Sequence, residues 1–420
     1  MYDFANSGYT TVVITALFNA YFVAVVAGNA PWATFAWTAA LSCSYALVVL
    51  SAPLLGAYAD LHGAKKKLLG FTTAGCVLFT ALLFFARAET LPFAIFCVMA
   101  SNYFFASGEN LIAAFLPELA RSRALGRVSG WGWSLGYIGG MVSLGACLGY
   151  VSWAQGQGRT AEQFVGEAML ITAAIFALAS APTFLLLRER AVPSARRGPT
   201  AWRRVWRTLR NLRQFADLRR FLWCSLFYQA GIQAVITLAA IYAQQALGFT
   251  TQQTLLLILV VNLTAAGGAF AFGQVQDRIG HVRAIALTLA GWIVTILLAW
   301  TARGPELFWV AANTAGLCMG ASQSAGRAMV GLLAPPSRGG EFFGLWGLAV
   351  KLASVAGPLT YGTVTWAGGG DHRQALLVTG LYFVAGLFLL SGIDTERGRR
   401  AALRADRLTR REARSGVEEA

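Results

Sequence analysis

The sequence predicts an all-α membrane protein: twelve transmembrane helices arranged as two pseudo-symmetric six-helix bundles. Three observations predict it. Of 420 residues, 56% are hydrophobic and only 13% are charged, whereas a soluble domain carries about 25% charged residues. Apolar runs long enough to cross a bilayer recur along the chain, and basic residues gather in alternate connections between them. One connection pattern occurs twice, once in each half.

A span needs about 20 mainly apolar residues. Twelve segments qualify, near 4–27, 34–58, 68–86, 91–116, 128–152, 166–187, 221–247, 253–273, 284–302, 306–332, 342–367 and 374–393. Lipid cannot satisfy backbone N–H and C=O groups, so such segments are helices or closed barrels. They are too long and too uniformly apolar for barrel strands of about 10 alternating residues.

The 34 Lys and Arg against 19 Asp and Glu give a net charge of +15. On a soluble chain this would suggest nucleic acid. Here the charges sit between apolar runs, so no nucleic-acid partner is expected. Even-numbered connections carry Lys65, Lys66 and Lys67, then Arg121, Arg123 and Arg127, then an Arg-rich run, then Arg278 and Arg283, then Arg338. Odd-numbered ones carry only Arg87, Arg159, Arg303 and Arg373. The positive-inside rule then predicts a multi-pass protein of the cell (inner) membrane with a cytoplasmic C-terminus.

Four regions follow: a first bundle over 1–187, an Arg-rich cytoplasmic linker over 188–220, a second bundle over 221–393 and a cytoplasmic tail over 394–420. The linker holds eleven arginines against Glu189 and Asp217, with Pro193 and Pro199. Trp202, Val205, Trp206 and Leu209 share a helical face that suits the anionic leaflet; a solvated topogenic loop is the equal alternative. The tail mixes Arg and Glu without an apolar stripe and reads as a solvated helix or a disordered segment.

Cys43, Cys76, Cys97, Cys147, Cys224 and Cys318 all fall in apolar stretches without CxxC spacing, which reads as packing. His62, His281 and His372 are expected in loops. No metal site and no cofactor is expected, and no cleavable signal peptide is read at the N-terminus.

The repeated pattern is Gly56-x-x-x-Asp60-x-x-Gly63-x-Lys65-Lys66 after span 2 and Gly273-x-x-x-Asp277-Arg278-x-Gly280 after span 8. Gly56 and Gly273 permit close helix approach. Asp60 and Asp277 can cap a helix N-terminus or pair with Arg. Gly63 and Gly280 allow a tight turn, and the basic residues anchor the loop. This signature is similar to that of the major facilitator superfamily, which implies a latch between the halves. Turn and topology residues are the plainer reading.

A narrower resemblance covers nearly the whole chain. Met1-Tyr2-Asp3-Phe4-Ala5-Asn6-Ser7-Gly8-Tyr9, Leu116-Pro117-Glu118, Ser129-Gly130-x-Gly132-x-x-x-Gly136-Tyr137-x-Gly139-Gly140, Gln323-x-x-x-Arg327, Pro335, Glu341-Phe342-Phe343-Gly344, Lys351 and Gly357-Pro358 resemble blocks of the autophagy-related vacuole-effluxer family and its bacterial relatives. That family is viewed as permeases, with amino-acid export proposed for fungal members. This chain begins inside the first block, where the family has a lead-in. It also has Gly326 where the family has Ser before the arginine.

A charge at mid-bilayer costs at least about 2.5–3.5 kcal/mol and should face the bundle interior. Glu109 in span 4, Arg327 in span 10 and Lys351 in span 11 lie well inside spans, and Asp3 sits at the mouth of span 1. The resemblance implies that spans 1, 4, 7 and 10 line a central cavity, so Glu109 and Arg327 are expected to face each other across it. Glu109 would take a proton or a substrate amine, Arg327 a carboxylate, and Lys351 a second anion contact. A structural or gating Glu–Arg pair is the competing reading. Asn6, Asn102, Gln229, Gln233 and Gln323 are candidate hydrogen-bonding groups, though interhelical bonding explains each alone. Asn19, Asn262 and Asn313 read as structural. Trp131, Trp133 and Tyr137 read as packing aromatics or a cavity wall.

The expected function is therefore secondary active transport of a small polar solute, an amino acid being the favoured class. Alternating access is the expected mechanism and the proton a candidate coupling ion. The expected partners are the solute and the lipid bilayer, with the chain a monomer. Alternatives are an exporter of a lipophilic drug or lipid-like compound, or a non-transporting membrane receptor or scaffold. An enzyme is not expected, since no histidine is placed in a span to serve as base or ligand.

Overall fold

Apolar runs wind into helices because lipid leaves the backbone no other partner. The computed structural model describes residues 1–190, 201–210 and 212–418. Among the described residues, twelve long helices follow one another: α1 Tyr2–Val26, α2 Ala33–His62, α3 Lys65–Leu82, α4 Leu91–Ala113, α5 Leu125–Gly156, α6 Ala161–Leu186, α7 Ala216–Leu247, α8 Thr251–Ile279, α9 His281–Thr301, α10 Pro305–Leu333, α11 Gly339–Ala367 and α12 His372–Ser391. A linker helix, Ala201–Arg210, precedes α7, and a tail helix, Thr395–Glu418, follows α12. Within α1 the winding loosens to π geometry over Thr10–Ala16 and Phe22–Val26.

Local chemistry sets the ends. Thr160 with Gln163 and Thr250 with Gln253 form capping boxes at α6 and α8. The Asp371 carboxylate accepts from the N–H groups of Arg373 and Gln374 at the start of α12. Gly63 and Gly280 take φ of 57° and 91°, values that disfavour any residue with a Cβ. His62 is the last residue of α2, and His281 and His372 open α9 and α12. Their expected placement in loops is corrected to helix ends.

Leu185, Phe388 and Trp366 are 82%, 79% and 83% exposed. Water would not tolerate so many bare apolar side chains, and lipid is their natural neighbour. Helix contacts are made by small residues. A Cβ on Gly268 would strike the Leu317 carbonyl, one on Gly320 the Ala265 carbonyl and one on Gly357 the Ala230 carbonyl. Close backbone approach of this kind drives association where lipid removes the hydrophobic force.

The chain divides into two compact units. Unit 1 comprises Met1–Ser51, Ala64–Ile112 and Leu135–Glu189; unit 2 comprises Ala52–Gly63, Ala113–Ser134 and Arg190–Ala420. Unit 2 thus gathers the basic ends of α2 and α5, the connection after α4, and everything from the linker onward.

Two readings of the basic end are corrected. Val205 of the linker helix is buried, while Trp202 and Trp206 are exposed at 64% and 62%, so these three do not share an environment. Pro193, Pro199 and the Leu209 side chain lie outside the described residues. The tail helix is not simply solvated: Gly398, Ala402 and Asp406 are buried, and Asp406 accepts from the Ser337 N–H at 2.8 Å.

Arg397 grips Asp217 through two hydrogen bonds of 2.8 and 2.6 Å, and Asp217 also accepts from the Asp394 N–H. The Arg397 contact, ahead of the other causes, holds the Asp217 carboxyl below its ordinary range. A carboxyl lowered by folding stabilises above its unfolded pKa of about 3.9 and loses that contribution as pH falls through the lower folded value. Tail docking is therefore expected to be level from neutral pH to about pH 5 and to weaken only below about pH 4. Hydrogen exchange across 395–408, corrected for intrinsic rates, measures this, and Asp217→Asn should release the tail at every pH.

Candidate functional site

The ionisable side chains on the long apolar helices fall in both units. In unit 2, Arg327 on α10 is 7% exposed. Its Nε donates to the Ser129 hydroxyl at 3.1 Å and its Nη2 to the Ser129 carbonyl at 2.9 Å. The guanidinium lies 5.5 Å from the centroid of the Trp133 ring, a cation–π distance. Ser129 in turn donates to the Ser324 carbonyl at 2.8 Å. Arg327 is thus bound to the first turns of α5, and a buried guanidinium would be costly without such acceptors.

One turn earlier, Gln323 and Gln229 exchange side-chain hydrogen bonds of 2.8 and 3.2 Å. The two amides satisfy each other across α10 and α7. Gln233 is half-buried and Lys351 on α11 is buried. Gly326 precedes the arginine because the Tyr228 hydroxyl occupies the space a side chain would need. Gly326→Ser is expected to lower the melting temperature by several degrees, overpacking costing about 1–3 kcal/mol. Tyr228→Phe in the same chain should recover much of it; no recovery would place the clash elsewhere.

In unit 1, Glu109 on α4 and Asp3 in the first turn of α1 are both half-buried. Both lie within electrostatic reach of Tyr2, whose hydroxyl pairs with Thr73 at 2.9 Å and packs on Gly108. Asn102 is fully buried and donates to the Ser44 hydroxyl. Phe105, on the same face, stacks on Tyr9 at 5.0 Å. The side-chain oxygens of Asn6 and Asn102 have no protein partner among the described residues. Among the described residues, Asn262 and Asn313 donate back to carbonyls of their own helices.

At the basic end of unit 2 the repeated motif makes two matching clamps. Asp60 accepts from the N–H groups of Gly340 and Glu341 at 3.0 and 2.9 Å, closing the N-terminus of α11. Asp277 accepts from those of Gly126 and Arg127, both at 2.9 Å, closing the N-terminus of α5. A carboxylate there meets unsatisfied donors and the positive end of the helix dipole. Gly56 admits the Gly340 carbonyl and Gly273 the Gly126 carbonyl, where any Cβ would collide. Arg278 is exposed. In unit 1, Lys65 is fully buried and Lys66 Nζ donates to the Leu187 carbonyl at 2.7 Å. Glu189 accepts from the N–H groups of both lysines, capping α3 in the same way.

Glu341 adds a second layer. Its side chain is 0% exposed and takes Arg338 at 2.8 Å and Arg204 of the linker helix at 3.2 Å. The linker helix is thereby tied to the clamped end of α11.

Comparison with known proteins settles the lineage. The family model described as "Vacuole effluxer Atg22 like" matches residues 22–403. The chain belongs to this family. Its similarity to the uncharacterized MFS-type transporter YxiO of Bacillus subtilis is 27% identity over 409 residues, 94% of each protein. Against Autophagy-related protein 22-1 of Neosartorya fischeri it is 26% over 306 residues, covering 66% of this chain and 49% of the fungal protein. The fold of this chain is the major facilitator fold. The human organic anion transporter MFSD10 superposes with a TM-score of 0.71 at 16% identity, covering 93% and 97% of the two chains. The fucose:proton symporter FucP of E. coli gives 0.70 at 15%, covering 93% and 95%. The chain is a multi-pass membrane protein of a transporter family that moves solutes by secondary transport.

Sequence reasoning named Arg327, Gln323 and Gln229 but gave Ser129 and Glu341 no role, although both stand in family blocks. It missed Arg204, Glu189 and the Asp217–Arg397 pair. A buried acidic residue at the start of a span, as at Glu341, is the signal that was there to read.

Proposed function

We propose that this chain carries a small polar solute of the amino-acid class by alternating access, the two six-helix halves rocking about a midplane site. The observation that carries this reading is the set of ionisable side chains on the long apolar helices: acidic Glu109 on α4, with Asp3 at the mouth of α1, in unit 1, and basic Arg327 and Lys351 in unit 2. A zwitterion has a matching charge for each sign. Charges retained on such helices at a cost in insertion argue against an apolar cargo. Glu109 is the proposed site for a proton or a substrate amine, and Arg327 the proposed hydrogen-bond donor to a substrate carboxylate, released from Ser129 when the clamped end opens. Asn6, Asn102, Gln323, Gln229 and Gln233 would supply hydrogen bonds. The clamps of Asp60 and Asp277 are proposed to hold the cytoplasmic end shut, in a bacterial inner membrane with a cytoplasmic tail.

Uptake of labelled amino acids into proteoliposomes, with and without a pH gradient, tests this. Arg327→Lys is expected to weaken substrate affinity roughly tenfold, since lysine cannot bind bidentately. Glu109→Gln is expected to abolish any dependence on the pH gradient. Unchanged affinity in the first variant, or unchanged proton-driven uptake in the second, overturns that residue's role.

A further inference from the structure

A cavity of about 600 Å³ lies in unit 2 at the basic end, among the connection after α4, the end of α10 and the tail helix. Its size is within the range of small-molecule sites, roughly 300–1,000 Å³. Three arginines from three separate parts of the chain line it: Arg121 before α5, Arg190 after α6 and Arg399 on the tail helix. Among the described residues of the lining, Glu118 is the only acidic one. Its carboxylate accepts from the Arg190 N–H at 2.8 Å, and its backbone carbonyl accepts from the Arg190 guanidinium at 3.4 Å. Among the described residues, the guanidinium groups of Arg121 and Arg399 make no ion pair and no side-chain hydrogen bond. Leu332 and Leu403 give the cavity an apolar side.

Three cations from unlinked segments repel one another when gathered round one space, and an anion turns that repulsion into attraction. Arginine forks suit tetrahedral oxyanions in particular. We infer that this cavity binds a phosphate-bearing ligand, held by Arg121, Arg190 and Arg399. Such a ligand would bridge the tail helix to the connection that leads into α5. The N-terminus of α5 is what Asp277 clamps, so the ligand favours the clamped arrangement, as any ligand favours the state that offers it more contacts. This site is separate from the charges on the long apolar helices and does not depend on which solute is carried.

The test uses the full chain in phosphatidylcholine nanodiscs, with hydrogen exchange across 395–408 as readout. Inorganic pyrophosphate supplies the free-phosphate arm, and nanodiscs containing phosphatidylglycerol supply the lipid-headgroup arm. Sodium chloride at matched ionic strength is the control. Protection of the tail helix in either arm, but not in chloride, is expected, and the arm that protects identifies the source. Arg399→Ala and Arg121→Ala should each weaken the effect roughly tenfold, while Arg213→Ala, outside the cavity, should leave it intact. Equal protection by chloride, or an effect untouched by both cavity variants, overturns the proposal.

Discussion

Replacing Glu341 with glutamine is expected to destabilise the protein by about 3–5 kcal/mol, the range for breaking a buried charge pair from one side. The carboxylate is fully buried against Arg338 and Arg204. Glutamine keeps the shape and loses the charge, which leaves two guanidiniums facing each other with no counter-ion between them. The linker helix, tied through Arg204, should then detach. Thermal unfolding measures the stability loss, and hydrogen exchange over 201–210 measures the detachment. A double variant, Glu341→Gln with Arg204→Met, should recover part of the stability, because one of the two stranded cations is gone. A melting temperature unchanged by Glu341→Gln would mean that the cluster contributes no net stability.

Asp60→Ala is expected to open the N-terminus of α11. The carboxylate is 2% exposed and accepts two backbone hydrogen bonds. Hydrogen bonds to a charged group contribute about 1.5–3 kcal/mol each, so a net loss near 3 kcal/mol is expected, roughly a hundredfold in the local opening equilibrium. Exchange of the 339–343 amides should rise by that factor. Asp277→Ala should do the same to 126–128 and leave 339–343 nearly unchanged, because each clamp holds its own helix. Unaltered protection of 339–343 in Asp60→Ala would show that packing at Gly56, and not the carboxylate, holds this end. Stronger transport in either variant would connect the clamp to the rate of opening.

Several parts of this arrangement were legible in the chain itself. Gly56 and Asp60 recur as Gly273 and Asp277, and the spacing alone suggested a close approach and a capping carboxylate. The cap partners were not legible. Gly340 lies 280 positions from Asp60, and no local pattern says which helix start an aspartate will reach. Arg327 stood out because a cation inside an apolar run is expensive. Its attachment to Ser129, 198 positions away, and the mutual pairing of Gln229 and Gln323, 94 apart, depend on which helix faces pack together. Gly326 looked like a simple departure from the family pattern until the Tyr228 hydroxyl was found in the space beside it. The tail offered no apolar stripe, and it docks instead through Arg397 and Asp406.

Hydropathy, loop charge and an internal repeat determined that this chain is a twelve-helix membrane protein of two related halves, because lipid imposes helix length and topology on each segment separately. The tertiary structure alone decided which buried charges and amides meet. In lipid every apolar face is nearly equivalent, so helix pairing is selected by small-residue contacts and polar ties between distant segments, and those are properties of the assembled bundle.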